Sequence, residues 1–224
     1  MKDFSLNSGE RQVGKTLDEI RFDHRVRYQL AIEFLKEKKH YVGLDCFCGN
    51  GYGSHFMANQ LSDCNIIGID ASQEAIECAN KYYSSKNILF SCKLFPFCLP
   101  KETFDFIVCF ESLEHVIEGE EMMNQLIHSL KLGGYLFFSI PNENVHSLKL
   151  NKHPFHYKHY TDAEVKNMMQ SKLKLIKMYG QNVYVFRNGI QAELLDSRDM
   201  ILNENKEGQV NIYIYKKSRN LYFF

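Results

Sequence analysis

The sequence predicts an α/β fold built on a doubly wound sheet, mostly parallel, with an antiparallel strand at its C-terminal end. Three observations carry that expectation. From residue 41 onward, short apolar runs alternate with helical patterns, as parallel strands with crossover helices require. A glycine-rich turn joins the first of these runs to a helix. The last two runs, residues 173–179 and 210–215, have no helical pattern between them, and the second alternates like an antiparallel edge strand.

The elements follow in order. Residues 24–39 carry Val26, Leu30, Ile32, Phe34 and Leu35, a spacing that predicts an amphipathic helix. Residues 41–46 read as the first strand, followed by the turn and a helix over 52–61. Residues 65–70 are the second strand. Ser72 can cap the next helix, with Glu74 and Glu77 favourable in its early turns. Strands are expected over 88–92, 104–110 and 135–140, the last stopped by Pro141, and helices over 119–130 and 161–170. The first twenty residues are polar and read as an arm or lid. The expected division is an N-terminal arm and covering helix over 1–40 and one α/β domain over 41–224.

Composition narrows the function. The 224 residues are 45% hydrophobic, enough for a full core in one domain. Lys+Arg and Asp+Glu both number 27, so no global basic field exists to hold a nucleic acid or an anionic membrane. A small-molecule partner is expected, with self-association left open. Seven cysteines, an odd number lying in apolar runs, read as buried free thiols rather than a disulfide framework. With no apolar leader and no uncharged run of membrane-spanning length, the protein is expected to be soluble and cytoplasmic.

The sharpest motif runs Val42-Gly43-Leu44-Asp45-Cys46-Phe47-Cys48-Gly49-Asn50-Gly51-Tyr52-Gly53-Ser54. Glycines after an apolar strand let the chain turn tightly and let a ligand approach where a Cβ would stand. A side chain at Gly51 is therefore expected to block the ligand. The second strand ends at Asp70, nineteen residues beyond Gly51, where a carboxylate accepts hydrogen bonds from both hydroxyls of an adenosine ribose. Together these features point to a Rossmann-like nucleotide site. Read by themselves they fit S-adenosylmethionine or a nicotinamide dinucleotide, so an oxidoreductase stays open at this point.

The run resembles the first motif of class I S-adenosylmethionine-dependent methyltransferases. The similarity extends through residues 66–72, through Phe104-Asp105-Phe106-Ile107-Val108, and through Leu130-Lys131-Leu132-Gly133-Gly134. The resemblance implies that Asp45 and Gly49 lie along the methionine part, that Gly51 lies near the ribose, and that Asp70 holds the ribose hydroxyls. Phe47 departs from the small residue usual there, so a displaced turn is expected. The acid that holds the adenine amino group is absent from Ser91-Cys92-Lys93-Leu94-Phe95, which leaves a backbone N–H near Leu94 for adenine. Upstream, Ser8-Gly9-Glu10-Arg11 and His24-Arg25-Val26-Arg27-Tyr28 are similar to a region of methyltransferases from bacterial surface-polysaccharide clusters. There a helix covers the cofactor, and Arg27 would take the methionine carboxylate through its fork of donors.

The fourth strand runs into Glu111-Ser112-Leu113-Glu114-His115, on the side of the sheet where ligands bind. Carboxylates three residues apart converge on one face of a helical turn. Unless a proton or cation lies between them they repel. With an adjacent imidazole they form a mixed O/O/N set that suits a divalent ion such as Mg²⁺. The competing reading makes Glu111 a cofactor contact, Glu114 a helix cap and His115 a packed residue. Downstream, His153-Pro154-Phe155-His156-Tyr157-Lys158-His159 is placed to close over the site. The pattern resembles metal-dependent O-methyltransferases with Glu-x-x-Glu-His at this place, which implies Glu111, Glu114, His115 and His156 as metal ligands. His156, His159 or Tyr157 could otherwise take the proton of the acceptor. The expected activity is O-methylation of a small sugar or nucleotide-linked sugar assisted by a divalent metal. N-methylation of a small amine and a non-catalytic scaffold are the alternatives.

Overall fold

The computed structural model describes residues 5, 6, 8, 11–37 and 40–218. Helix α1 (Phe22–Leu35) precedes β1 (Tyr41–Cys46), α2 (Tyr52–Gln60), β2 (Cys64–Asp70), α3 (Gln73–Tyr82), β3 (Ile88–Cys92) and β4 (Phe104–Phe110). The chain continues through α4 (Gly119–Ser129), β5 (Leu130–Pro141), α5 (Asp162–Met169) and β6 (Lys174–Gln181). A hairpin of β7 (Tyr184–Arg187) and β8 (Ile190–Leu194) follows, then β9 (Leu202–Glu204) and β10 (Val210–Lys216).

Eight strands form one sheet in the order β3-β2-β1-β4-β5-β10-β6-β9. The first five are parallel, and β10 pairs antiparallel with both β5 and β6. The expected α/β, Rossmann-like sheet with an antiparallel C-terminal strand is therefore present. After β3 the chain returns to the other side of β1 to lay down β4, so the connections leaving β1 and β4 diverge. Open α/β sheets bind ligands in the crevice this reversal creates, beyond the carboxyl ends of the strands. Both faces of the sheet are covered by apolar clusters. One joins Leu44, Ile107, Leu126 and Phe138, and the other joins Ile32, Met57, Ile76 and Phe137.

Local chemistry sets the helix starts. The Ser72 hydroxyl accepts the Ala75 N–H at 3.2 Å. Thr161 and Glu164 form a reciprocal capping box at the start of α5. Helix α1 differs from expectation. It ends at Leu35, and its buried face begins with Asp23, Arg27 and Tyr28 before turning apolar at Ala31, Ile32 and Leu35. Its N-terminal half is thus seated by polar contacts instead of by an apolar stripe. Strand β5 starts earlier than expected because the bulged Lys131–Gly134 segment stays in the ladder. All seven cysteines are free, as expected, but Cys92 and Cys98 are exposed.

Two late features escaped the sequence reading, the β7–β8 hairpin and β9. Every residue of β8 is exposed, so no alternating burial marks it. The signal that was available is Asn188-Gly189, both at positive φ (54° and 77°), the dipeptide that favours a tight hairpin turn. The hairpin tip is pinned by Asn151, whose Nδ2 donates to Gly189 O at 3.0 Å while its Oδ1 accepts Gln191 N–H at 2.7 Å.

Gly51 has a packing role besides the ligand role expected of it. It adopts φ 89°, and a Cβ there would lie 2.7 Å from both Ala79 Cβ and Phe90 Cζ. Glycine is required by the packing of the turn against α3 and β3. Gly51→Ala should lower stability by roughly 2–4 kcal/mol from overpacking and left-handed strain, read as a fall in the urea midpoint. An unchanged midpoint would contradict this packing account.

Candidate functional site

The turn after β1 places four groups. Asp45, 1% exposed, accepts from Ser54 Oγ at 2.6 Å and from Tyr28 OH at 3.1 Å. It ties α2 and α1 to the end of β1 and lines neither of the cavities described below. Its carboxylate is thus engaged within the protein by the two hydroxyls. Burial pushes its pKa up to about 7, against the two hydroxyl donors. Phe47 takes φ 63°, the left-handed conformation that usually selects a small residue, so the unusual residue is accommodated without losing the turn. Gly49 has φ 56° and open space where a Cβ would point, so its side, unlike that of Gly51, faces the crevice.

Asp70, at the end of β2, is 3% exposed. Its Oδ2 accepts Gly49 N–H at 3.0 Å, and its Oδ1 accepts Ser72 N–H at 2.8 Å and Arg11 Nη2–H at 3.0 Å. The N-terminal segment thus lays a guanidinium on the carboxylate expected to hold ribose. Asn50 Nδ2 and Tyr83 OH fix that segment by donating to Gly14 O at 2.6 and 2.9 Å. Of the segment similar to the polysaccharide-cluster enzymes, Gly9 and Glu10 lie outside the described residues.

Two cavities open at this edge of the sheet. The larger, about 610 Å³, is lined from several elements, among them Arg27, Gly49, Glu111, Glu114, His156 and Gln191. The smaller, about 210 Å³, is lined by Ala71, Leu94, Phe95, Val116, Ile117 and Tyr157 among others. Arg11, Phe47 and His115 line both and form the partition. Leu94, expected near adenine, lines this smaller cavity. Tyr157, one of the residues expected to take the acceptor's proton, is 50% exposed and lines this smaller cavity.

At one end of the larger cavity, Arg27 is 1% exposed. Its Nε–H donates to Gln181 Oε1 at 2.9 Å and its Nη2–H to Asp23 Oδ2 at 3.1 Å. Its Nη1 is buried without a hydrogen-bond partner and lies 3.8 Å from Glu111 Oε1. Glu111 Oε1 accepts from Ser139 Oγ at 2.8 Å. A guanidinium and a carboxylate side by side, each with capacity left, match the ammonium and carboxylate of an α-amino acid. Asp23 holds Arg27 in place, and its own carboxyl is kept well below the usual range by Arg27, His24 and Arg21 despite its burial.

At the floor of the same cavity, one ligating atom from each of Glu114, His115 and His156 lies within 4.8 Å of the others. Glu111 does not join this group, which corrects the four-residue set read from sequence: its carboxylate turns to Ser139 and Arg27 instead. Glu114 is 1% exposed and its Oε2 has no hydrogen-bond partner. Burial, reinforced by the neighbouring Glu111, pushes its pKa well above the carboxylate range. His115 Nδ1 lies 3.2 Å from Phe155 O and its Nε2 lies 3.7 Å from Glu114 Oε1. Burial and the adjacent imidazoles push the pKa of His156 down to about 2, so it is a neutral nitrogen donor. An orphaned buried carboxylate beside two imidazoles is a donor set that fits a divalent cation. His159, expected as a proton acceptor, is 3% exposed and stands behind His156.

Comparison with known proteins agrees with this architecture. The family described as a methyltransferase domain matches residues 37–196. The ubiquinone biosynthesis O-methyltransferase of Idiomarina loihiensis is 31% identical over 108 residues, covering 46% of this chain and 44% of that protein. The malonyl-[acyl-carrier protein] O-methyltransferase of Bacillus anthracis is 27% identical over 96 residues, covering 43% of this chain and 36% of that protein. The chain thus spans less than half the length of these curated relatives. The N-methyltransferase NodS of Bradyrhizobium japonicum, solved with S-adenosyl-L-homocysteine, superposes with a TM-score of 0.64 at 16% identity, covering 91% of each chain. With its parallel sheet, its glycine turn and a family match over residues 37–196, the chain belongs to the methyltransferase domain family.

Proposed function

We propose that the protein transfers a methyl group from S-adenosylmethionine to a hydroxyl of a small acceptor, assisted by a divalent metal held by Glu114, His115 and His156. The observation that carries this reading is one shared cavity lining. An amino-acid clamp (Arg27 and Glu111) and a buried carboxylate–imidazole group line one cavity, and the acid for ribose, Asp70 at the end of β2, is bonded to Arg11 and Gly49 of the same lining. The base would occupy the smaller cavity by Leu94, with Gly49 along the methionine part. Helix α1 and the segment before it would form the cover expected over 1–40. For ribose to reach Asp70, Arg11 must withdraw or share the carboxylate.

S-adenosylmethionine supplies an electrophilic methyl group, and the chain must align the acceptor with it, because orientation accounts for much of the rate. A bound divalent ion would polarise the acceptor hydroxyl and lower its pKa. Glu114 and the two imidazoles would fix where that hydroxyl sits, and the Arg27–Glu111 clamp would hold the donor end in register. The expected sugar acceptor rests on the N-terminal resemblance, and the polar rim formed by Asn151 and Gln191 suits a hydroxyl-rich molecule. The O-methyltransferase names of the curated relatives support oxygen over nitrogen as the acceptor atom. No helix among the described residues is long and apolar enough to cross a membrane.

The cofactor assignment is tested by calorimetry with S-adenosylhomocysteine. Asp70→Asn should weaken binding at least about tenfold, since each hydrogen bond to a charged carboxylate contributes roughly 1.5–3 kcal/mol. Unchanged affinity in the folded variant would remove Asp70 from the ribose site, and absence of binding in the native protein would favour a scaffold.

The metal assignment is tested by release of S-adenosylhomocysteine with a panel of sugars, nucleotide sugars, phenols and amines. Glu114→Gln should lower turnover about 10²-fold or more while leaving affinity for S-adenosylhomocysteine within about threefold. Full turnover by chelated protein would take the metal out of the reaction.

A further inference from the structure

The histidine-rich loop between β5 and α5 contains a chain of directed hydrogen bonds. His159 Nδ1 lies 2.6 Å from His146 O. A carbonyl only accepts, so this nitrogen carries the proton, and the Nε2 of a neutral His159 must be an acceptor. His159 is 3% exposed, and a ring removed from water favours its neutral form. His159 Nε2 in turn lies 2.7 Å from His156 Nδ1. The proton on that contact therefore belongs to His156. With Nδ1 committed, the lone pair that His156 can offer is on Nε2. The same logic applies to His115, whose Nδ1 faces Phe155 O at 3.2 Å. In both cases an acceptor in the loop engages Nδ1; for His115 the other nitrogen, Nε2, lies 3.7 Å from Glu114 Oε1.

We infer that His159 is a positioning residue. It accepts the Nδ1 proton of His156 and so presents the Nε2 lone pair of His156 to the Glu114–His115 group. The part of this inference that concerns metal affinity rests on the function proposed above, whereas the tautomer of His156 does not. His159 does not react with the acceptor: its side chain is 1% exposed, and both of its ring nitrogens are engaged within the loop. This accounts for a buried histidine that the transfer reaction does not otherwise use. Partners that orient a ligating histidine typically change metal affinity by about 10–100-fold when removed.

The test uses the full chain, ¹⁵N-labelled at histidine and stripped of metal by chelation. The ring-nitrogen shifts of His156, assigned by comparison with His156→Asn, report which nitrogen is protonated. The native protein should have His156 protonated on Nδ1. His159→Gln keeps an acceptor amide oxygen and should preserve that state, and His159→Leu should lose it. Titration with Mn²⁺ should then give affinity about 10–100-fold weaker for His159→Leu and within about threefold for His159→Gln. The inference is overturned if native His156 is protonated on Nε2, a result that does not depend on the leucine variant folding. Equally, it fails if His159→Leu folds and leaves the tautomer unchanged. If the native protein binds no Mn²⁺ but shows the Nδ1 tautomer, the metal reading fails and the positioning role stands.

Discussion

A carboxylate removed from water must find donors or a cation to replace its hydration, at a cost of several kcal/mol otherwise. Four carboxylates are buried at or above the carboxyl edge of this sheet: Asp23, Asp45, Asp70 and Glu114. Asp23 is satisfied by Arg21 and Arg27, Asp45 by Ser54 and Tyr28. Asp70 is satisfied by Gly49, Ser72 and Arg11. Glu114 alone of the four keeps a buried oxygen without a partner. The first two tie the surrounding elements together, the third is held by the turn after β1 and the N-terminal segment, and the fourth keeps an unsatisfied oxygen beside two imidazoles. This ordering separates structure from chemistry among residues of one type.

The same constraint joins distant parts of the chain. Arg27 on α1 bonds Gln181 at the end of β6, and Arg21 lies over the Tyr184 ring of the hairpin at 5.7 Å. Gln209, just before β10, accepts the N–H groups of Val183 and Tyr184 and donates to Tyr184 O. The covering helix, the hairpin and the C-terminal strands are therefore fixed to one another around the larger cavity. The lining of this cavity is drawn from both halves of the chain, from Arg27 and Gly49 to His156 and Gln191.

Much of the fold was legible in the sequence because a parallel strand buried on both faces leaves an unbroken apolar run, as residues 104–110 do. Residues 88–92, at the sheet edge and only partly buried, were marked by a shorter run and also bounded as they stand. The exposed β8 left no such trace, and the polar seat of α1 defeated a reading based on apolar periodicity. The site was legible as a list of residue types but not as a division of labour. Glu111 and Glu114 are three apart in sequence, yet a positive φ of 48° at Glu111 breaks the helical geometry that would have aimed them together. Gly51 and Asp45 illustrate the same limit: the motif marks them, but only packing reveals that one fills the core and the other ties two helices. The histidine relay depends on contacts between loop residues whose orientation no spacing rule supplies.

The central claim is that donor and acceptor sides meet at Glu114, His115 and His156. A crystal structure of the protein with S-adenosylhomocysteine and Mn²⁺, recorded at an energy where manganese scatters anomalously, tests it most directly. The account predicts ribose on Asp70, the amino-acid end between Arg27 and Glu111, and an anomalous peak bound by Glu114 and the two imidazoles. A bound cofactor product with no peak at that group, or a peak held elsewhere, would contradict it.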